Sequence, residues 1–76
     1  MNNLFVARIT NNTLGNCVAV PTQDDGIKLI VEWVRDQFHR DLTPDELFIL
    51  KNDGEFYSEE DSDNITTFTL GSISNN

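Results

Sequence analysis

Six carboxylates fall within eleven residues: Asp53, Glu55, Glu59, Glu60, Asp61 and Asp63, with no basic residue among them. Such a run could hold a divalent cation, supply a pair of acid–base groups, or present negative charge to a partner. The metal reading fails on spacing. A calcium-binding helix–loop–helix starting at Asp53 wants Gly at its sixth position and an oxygen ligand at its fifth, and the chain has Ser58 and Tyr57 there. Acid–base catalysis needs two carboxylates whose environments separate their pKa values, and a solvated acidic loop offers no pocket to do that. Cys17 is the only thiol and His39 the only imidazole. The first lies in an expected strand and the second at an expected helix end, with no third group to orient them as a catalytic pair. No phosphate-binding loop, dinucleotide fingerprint or zinc spacing is present. No enzyme activity and no cofactor are therefore expected. The acidic run reads as a docking surface.

The global charge points the same way. Thirteen acids against five bases give a net charge of −8 over 76 residues. Nucleic acid and anionic membrane both require phosphate neutralisation by Lys and Arg, so direct binding to either is not expected. A protein partner with a basic surface is. One domain is expected, over residues 1–76, with a thin core. A chain this small buries only roughly 60% of its unfolded surface. A lone cysteine and the lack of a leader-like start or a long apolar run fit a cytoplasmic setting.

Periodicity gives the supporting elements. "NLFVARIT" alternates as a first strand, "NNTLGN" is turn chemistry, and "CVAVP" is a second strand closed by Pro21. A long helix is expected from Thr22 to about Arg40. Thr22 is its N-cap, Asp24 and Asp25 lie in its first turn, and Ile27, Ile30, Val31, Val34 and Phe38 form an apolar stripe. Leu29 and Trp33 are expected on the far side from that stripe, one turn apart. They are read as a contact surface, a homodimer among its uses, unless the C-terminal segment folds over them. Thr43, Pro44 and Glu46 form a capping signature. It opens either a second helix through Lys51 or a single turn leading into a strand. The four consecutive apolar residues Leu47, Phe48, Ile49 and Leu50 favour the strand, paired through Asn-Asp-Gly with "EFYS". "ITTFTLGSI" is the last strand.

The order of hairpin, long helix, Pro-containing turn, strand and final strand resembles the β-grasp order of the ubiquitin-like superfamily. "LFVARIT", "VAVPTQDD", "TPDELFIL" and "ITTFTL" carry the likeness. The resemblance implies an α+β fold, a four- or five-stranded mixed sheet with one long helix packed across it. It also implies partner binding through an apolar patch, with Ile9 and Leu50 at patch positions, Phe48 beside them and polar Thr69 near the third. The chain ends "GSISNN", without the terminal Gly-Gly of conjugated and sulfur-carrying relatives, so neither conjugation nor sulfur transfer is expected unless a longer precursor exists. In charge and size the chain is similar in type to small phage-encoded DNA mimics and anti-CRISPR proteins. Two functions are expected on these grounds. One is an inhibitor or decoy docking on a basic nucleic-acid-binding partner through the acidic run. The other is a ubiquitin-like adaptor that uses Phe48 and Leu50, or Leu29 and Trp33.

Overall fold

The computed structural model describes residues 2–58 and 64–75. The chain runs β1 (Asn2–Thr10), β2 (Gly15–Val20), α1 (Gln23–Phe38), α2 (Pro44–Asp53), β3 (Glu55–Ser58) and β4 (Thr66–Asn75). The fold is α+β, as the pattern predicts. The four strands form one sheet in the order β2-β1-β4-β3. All three pairings are antiparallel, so the sheet is not the expected mixed one. Among the described residues there are two helices rather than a single long one.

Alternation assigns the two faces of the sheet. Ala7 and Ile9 of β1, Phe68 and Leu70 of β4, and Phe56 of β3 point to one side and are buried. Both helices cover that side, supplying Ile27, Ile30 and Val34 from α1 and Leu50 from α2. Phe56 stacks on Phe68 at 4.9 Å between ring centroids, and Phe38 meets Phe68 edge-on at 6.4 Å. Aromatic contacts of this geometry add roughly 0.5–1.5 kcal/mol beyond area burial. The rings thereby tie α1 to the β3–β4 hairpin.

α1 begins where the sequence predicts. The Thr22 hydroxyl oxygen accepts from the Asp25 N–H at 3.1 Å. The helix ends at His39, which takes a left-handed conformation (φ 57°) and donates its N–H to the Arg35 carbonyl at 2.9 Å. His39 is thus the C-cap, a position that His tolerates better than most side chains. The buried face of α1 is centred on Gly26, Ile30 and Val34. The expected stripe is on the core side, with Ile27, Ile30 and Val34 buried and Val31 and Phe38 packed against them, and Gly26 widens that face. A Cβ there would overlap the Leu70 side chain, so its absence lets α1 approach the sheet along that line. Trp33 lies about 60° around the helix from Ile30 at 100° per residue, on the flank of the buried face.

The segment after Thr43 corrects the expected strand over residues 47–50. It forms a ten-residue helix, nearly three turns, started by a complete capping box. Thr43 Oγ1 accepts from the Glu46 N–H, and the Glu46 carboxylate accepts from the Thr43 N–H. A cap of this kind is worth about 1 kcal/mol. Asn-Asp-Gly is the end of this helix rather than a hairpin turn. Gly54 is its left-handed C-cap (φ 74°), with its N–H donated to the Leu50 carbonyl at 3.0 Å. The same glycine accepts from the Leu70 N–H at 2.7 Å, so one residue both stops α2 and starts the β3–β4 ladder.

Candidate functional site

The corner between the helices is built around Arg40. Its guanidinium donates two hydrogen bonds to the Glu46 carboxylate, at 2.8 and 2.9 Å, and a third to the Asp41 carbonyl. It also lies 5.8 Å from the Phe38 ring centroid. Paired forks of this type are the strong form of a charged hydrogen bond. The bond to Arg40 holds the Glu46 carboxyl below its ordinary value of 4.5, partial burial opposes the shift, and the Thr43 N–H assists it. A carboxylate with a depressed folded-state pKa stabilises the fold above its unfolded value. That contribution is lost as pH falls through the folded one. Glu46→Gln is therefore expected to be less stable than the native chain at neutral pH. The gap should close as the pH drops below 4.5, which urea unfolding at a series of pH values would measure. A gap that stays constant into the acid would show that Glu46 contributes only its shape.

Beyond this corner, a hollow forms where α2 meets β3. Glu46, Ile49, Asp53, Glu55, Phe56 and Tyr57 line it. Glu46 is already neutralised by Arg40. Asp53 and Glu55 are exposed and, among the described residues, have no ion-pair partner. They stand beside two partly open apolar side chains, Ile49 at 40% and Tyr57 at 61% exposure. α2 places Ile49 and Asp53 one turn apart on the same side. β3 alternates Glu55 and Tyr57 outward with Phe56 and Ser58 inward. The hollow can thus receive a long basic side chain, with its carbon stem on Tyr57 and Ile49 and its charged head between Asp53 and Glu55.

The remaining acids of the run, Glu59, Glu60, Asp61 and Asp63, lie outside the described residues. The positions that flank them are tied down. Ser58 is buried and pairs with Thr66 across β3–β4, and Asn64 Oδ1 accepts from the Asn12 N–H at 2.7 Å. Asn11 reaches from the β1–β2 turn to Thr66 Oγ1 at 3.1 Å.

The apolar candidates separate. Phe48 is exposed on α2, at 67%. Leu50 and Ile9 are fully buried in the core and cannot form a surface patch. Helical geometry is the reason for Leu50. Leu47 and Leu50, three apart, turn toward the sheet, while Phe48 and Ile49 turn away. Ile9 lies on the helix-covered face of β1. Leu29 and Trp33 are half-buried and pack against the core as flanking residues. Cys17 is exposed on the face of the sheet that no helix covers, whereas His39 caps α1 on the other side. The sheet therefore separates the two groups that a thiol–imidazole pair would need to join. Among the described residues, no group of three His, Cys, Asp or Glu side chains is arranged to hold a metal, and no helix is long and apolar enough to cross a membrane.

Sequence reasoning did not single out Ile49, Tyr57 or the Arg40–Glu46 clamp. The signal for Tyr57 was the alternation of "EFYS", and for Ile49 the helical register set by the capping box. Comparison of the chain with protein-family models, with curated proteins and with solved structures finds no match.

Proposed function

We propose that the protein is a non-enzymatic acidic docking module, an inhibitor or decoy that binds a basic, nucleic-acid-binding protein surface. The observation that carries this reading is the pairing of unneutralised Asp53 and Glu55 with exposed Ile49 and Tyr57 where α2 meets β3, the strand that precedes the rest of the acidic run in the sequence. Carboxylates set at intervals along a surface imitate a phosphate array. The apolar side chains beside them bind the stems of the Lys and Arg residues that would otherwise contact phosphate. Charge of this kind speeds encounter and sets specificity more than it adds affinity.

The test is competition. A basic protein captured at low salt is loaded with labelled duplex DNA, and the native chain is titrated in. Displacement of the DNA is expected, and it should weaken steeply with added salt. A variant carrying Asp53→Asn, Glu55→Gln, Glu59→Gln, Glu60→Gln, Asp61→Asn and Asp63→Asn should keep its circular dichroism spectrum and lose the displacement. Equal displacement by native and neutralised chains at low salt would overturn the proposal.

The exposure of Phe48, at 67%, favours a second reading, an adaptor of the ubiquitin-like kind that binds through apolar contact. Partner binding would then be nearly insensitive to salt and lost in Phe48→Ala.

A further inference from the structure

The two edges of the sheet differ in how they are protected. β3 is four residues long, carries Glu55, and is flanked by Asp53 on one side and the acidic run on the other. Charge and shortness are common devices against unwanted strand pairing. β2 has neither. Its six residues, "GNCVAV", include no charge and no proline, and its register against β1 is continuous from Gly15 to Val20 without a bulge.

The hydrogen-bond direction along β2 follows from the turn. The Asn11 N–H donates to the Leu14 carbonyl, which makes Thr10 and Gly15 a non-hydrogen-bonded pair. The backbone groups of Asn16, Val18 and Val20 then face β1, and those of Gly15, Cys17 and Ala19 face away from the sheet. One contact supports this directly. The Cys17 N–H is taken up by the side-chain oxygen of its own neighbour, Asn16, at 2.9 Å. That contact is local and exposed, so a strand from outside can replace it.

We infer that this edge pairs with the β2 edge of a second copy of the chain, antiparallel about a two-fold axis at Cys17. Cys17 then faces Cys17 of the second copy, and Gly15 faces Ala19 of the second copy on each side. All three outward positions of each strand are used, and the four-stranded sheet becomes a continuous eight-stranded one.

Charge selects this occupant. Two chains of net charge −8 repel one another at most approaches, and most strongly at the acidic β3 edge. The β2 edge is the neutral one, and the nearest charged side chain on its cross-strand neighbour is the cation Arg8, paired with Cys17. Asp24 and Asp25 at the start of α1 lie beyond one end of β2. In the two-fold arrangement that end meets the uncharged turn at residues 11–14 of the other copy. A basic partner is drawn instead to the opposite edge, so this inference does not rest on the docking function.

The interface is short, so the dimer should form only as the protein is concentrated. Residue-resolved amide exchange on the native chain, from micromolar to millimolar, tests it without any variant. The amides of Gly15, Cys17 and Ala19 should exchange about tenfold more slowly at the high end. Those of Asn16, Val18 and Val20 should be protected throughout. Sedimentation should show mass rising toward twice the monomer over the same range. Cys17→Lys places like charges directly across the axis and should remain monomeric with an unchanged circular dichroism spectrum. Exchange at the three outward amides that is independent of concentration would overturn the inference. So would protection that appears at Glu55 and Tyr57 instead, or a Cys17→Lys chain that still doubles its mass.

Discussion

Ile30→Asp is expected to leave the chain unfolded at room temperature. Ile30 has no solvent exposure and sits at the centre of the α1 face, between Gly26 and Val34, over the β1 and β4 side chains Ala7, Ile9, Phe68 and Leu70. Removing a buried Ile side chain alone costs about 2–5 kcal/mol. Asp puts a carboxyl among the buried apolar side chains of the core, and burying it unpaired costs several kcal/mol more whether it stays charged or takes up a proton. A domain of this size has only about 5 kcal/mol in total to lose. Ile30→Val, which removes one methylene, should cost about 0.5–1.5 kcal/mol and keep the fold, separating the effect of charge from that of position. Far-UV circular dichroism with urea titration measures both. A folded Ile30→Asp chain would mean that α1 does not pack on the sheet through this face.

Gly54→Val is expected to cost about 3 kcal/mol, from the left-handed backbone and the crowding it adds. At φ 74° an L side chain is strained in any surroundings, and a β-branched one most of all. The surroundings here are also closed. A Cβ on Gly54 would sit 2.9 Å from the Leu70 carbonyl oxygen. That oxygen belongs to backbone, and Leu70 is fixed from its other side by pairing with Ala7. The strain therefore falls on the Leu70–Gly54 hydrogen bond and on the end of α2 together. Urea unfolding should show a lower midpoint with little change in slope. Gly54→Asn should lose less, because Asn tolerates the left-handed region, though its Cβ meets the same oxygen. Stability equal to the native chain in Gly54→Val would mean that α2 can end elsewhere.

These two positions also mark what the sequence made readable. The β1–β2 hairpin, the Thr22 cap and the apolar face of α1 were legible because each rests on local chemistry repeated at a fixed period. The existence of α2 was legible in its capping box, but its length was not. Residues 47–50 are a continuous apolar run, and such a run has no period by which to tell helix from strand. The helix wins through its two ends. The capping box starts it, Lys51 lies in its last turn, and Gly54 gives it a left-handed stop. Asn-Asp-Gly looks the same at a hairpin and at a helix end until the partner of the glycine N–H is known. The direction of the strands was also hidden. An added helix between the hairpins changes where the chain re-enters the sheet, so an expected mixed sheet became an antiparallel one. Of the candidate site, Asp53, Glu55 and Phe48 are at the surface as read. Leu50 was misplaced by the same strand assignment that hid Ile49.

The pairing of β1 with β4 governs when this chain can fold as it is synthesised. β1 has its turn partner β2 within a few residues, but its other neighbour is the last strand of the sheet, more than fifty residues later. Until Thr66–Asn75 leaves the ribosome, β1–β2 is a two-stranded ribbon, marginal in water by itself. α1 then has only half a surface on which to lay Ile30 and Val34. The nascent chain must therefore hold its apolar segments unburied until Thr66–Asn75 has emerged, and the sheet closes only after that point.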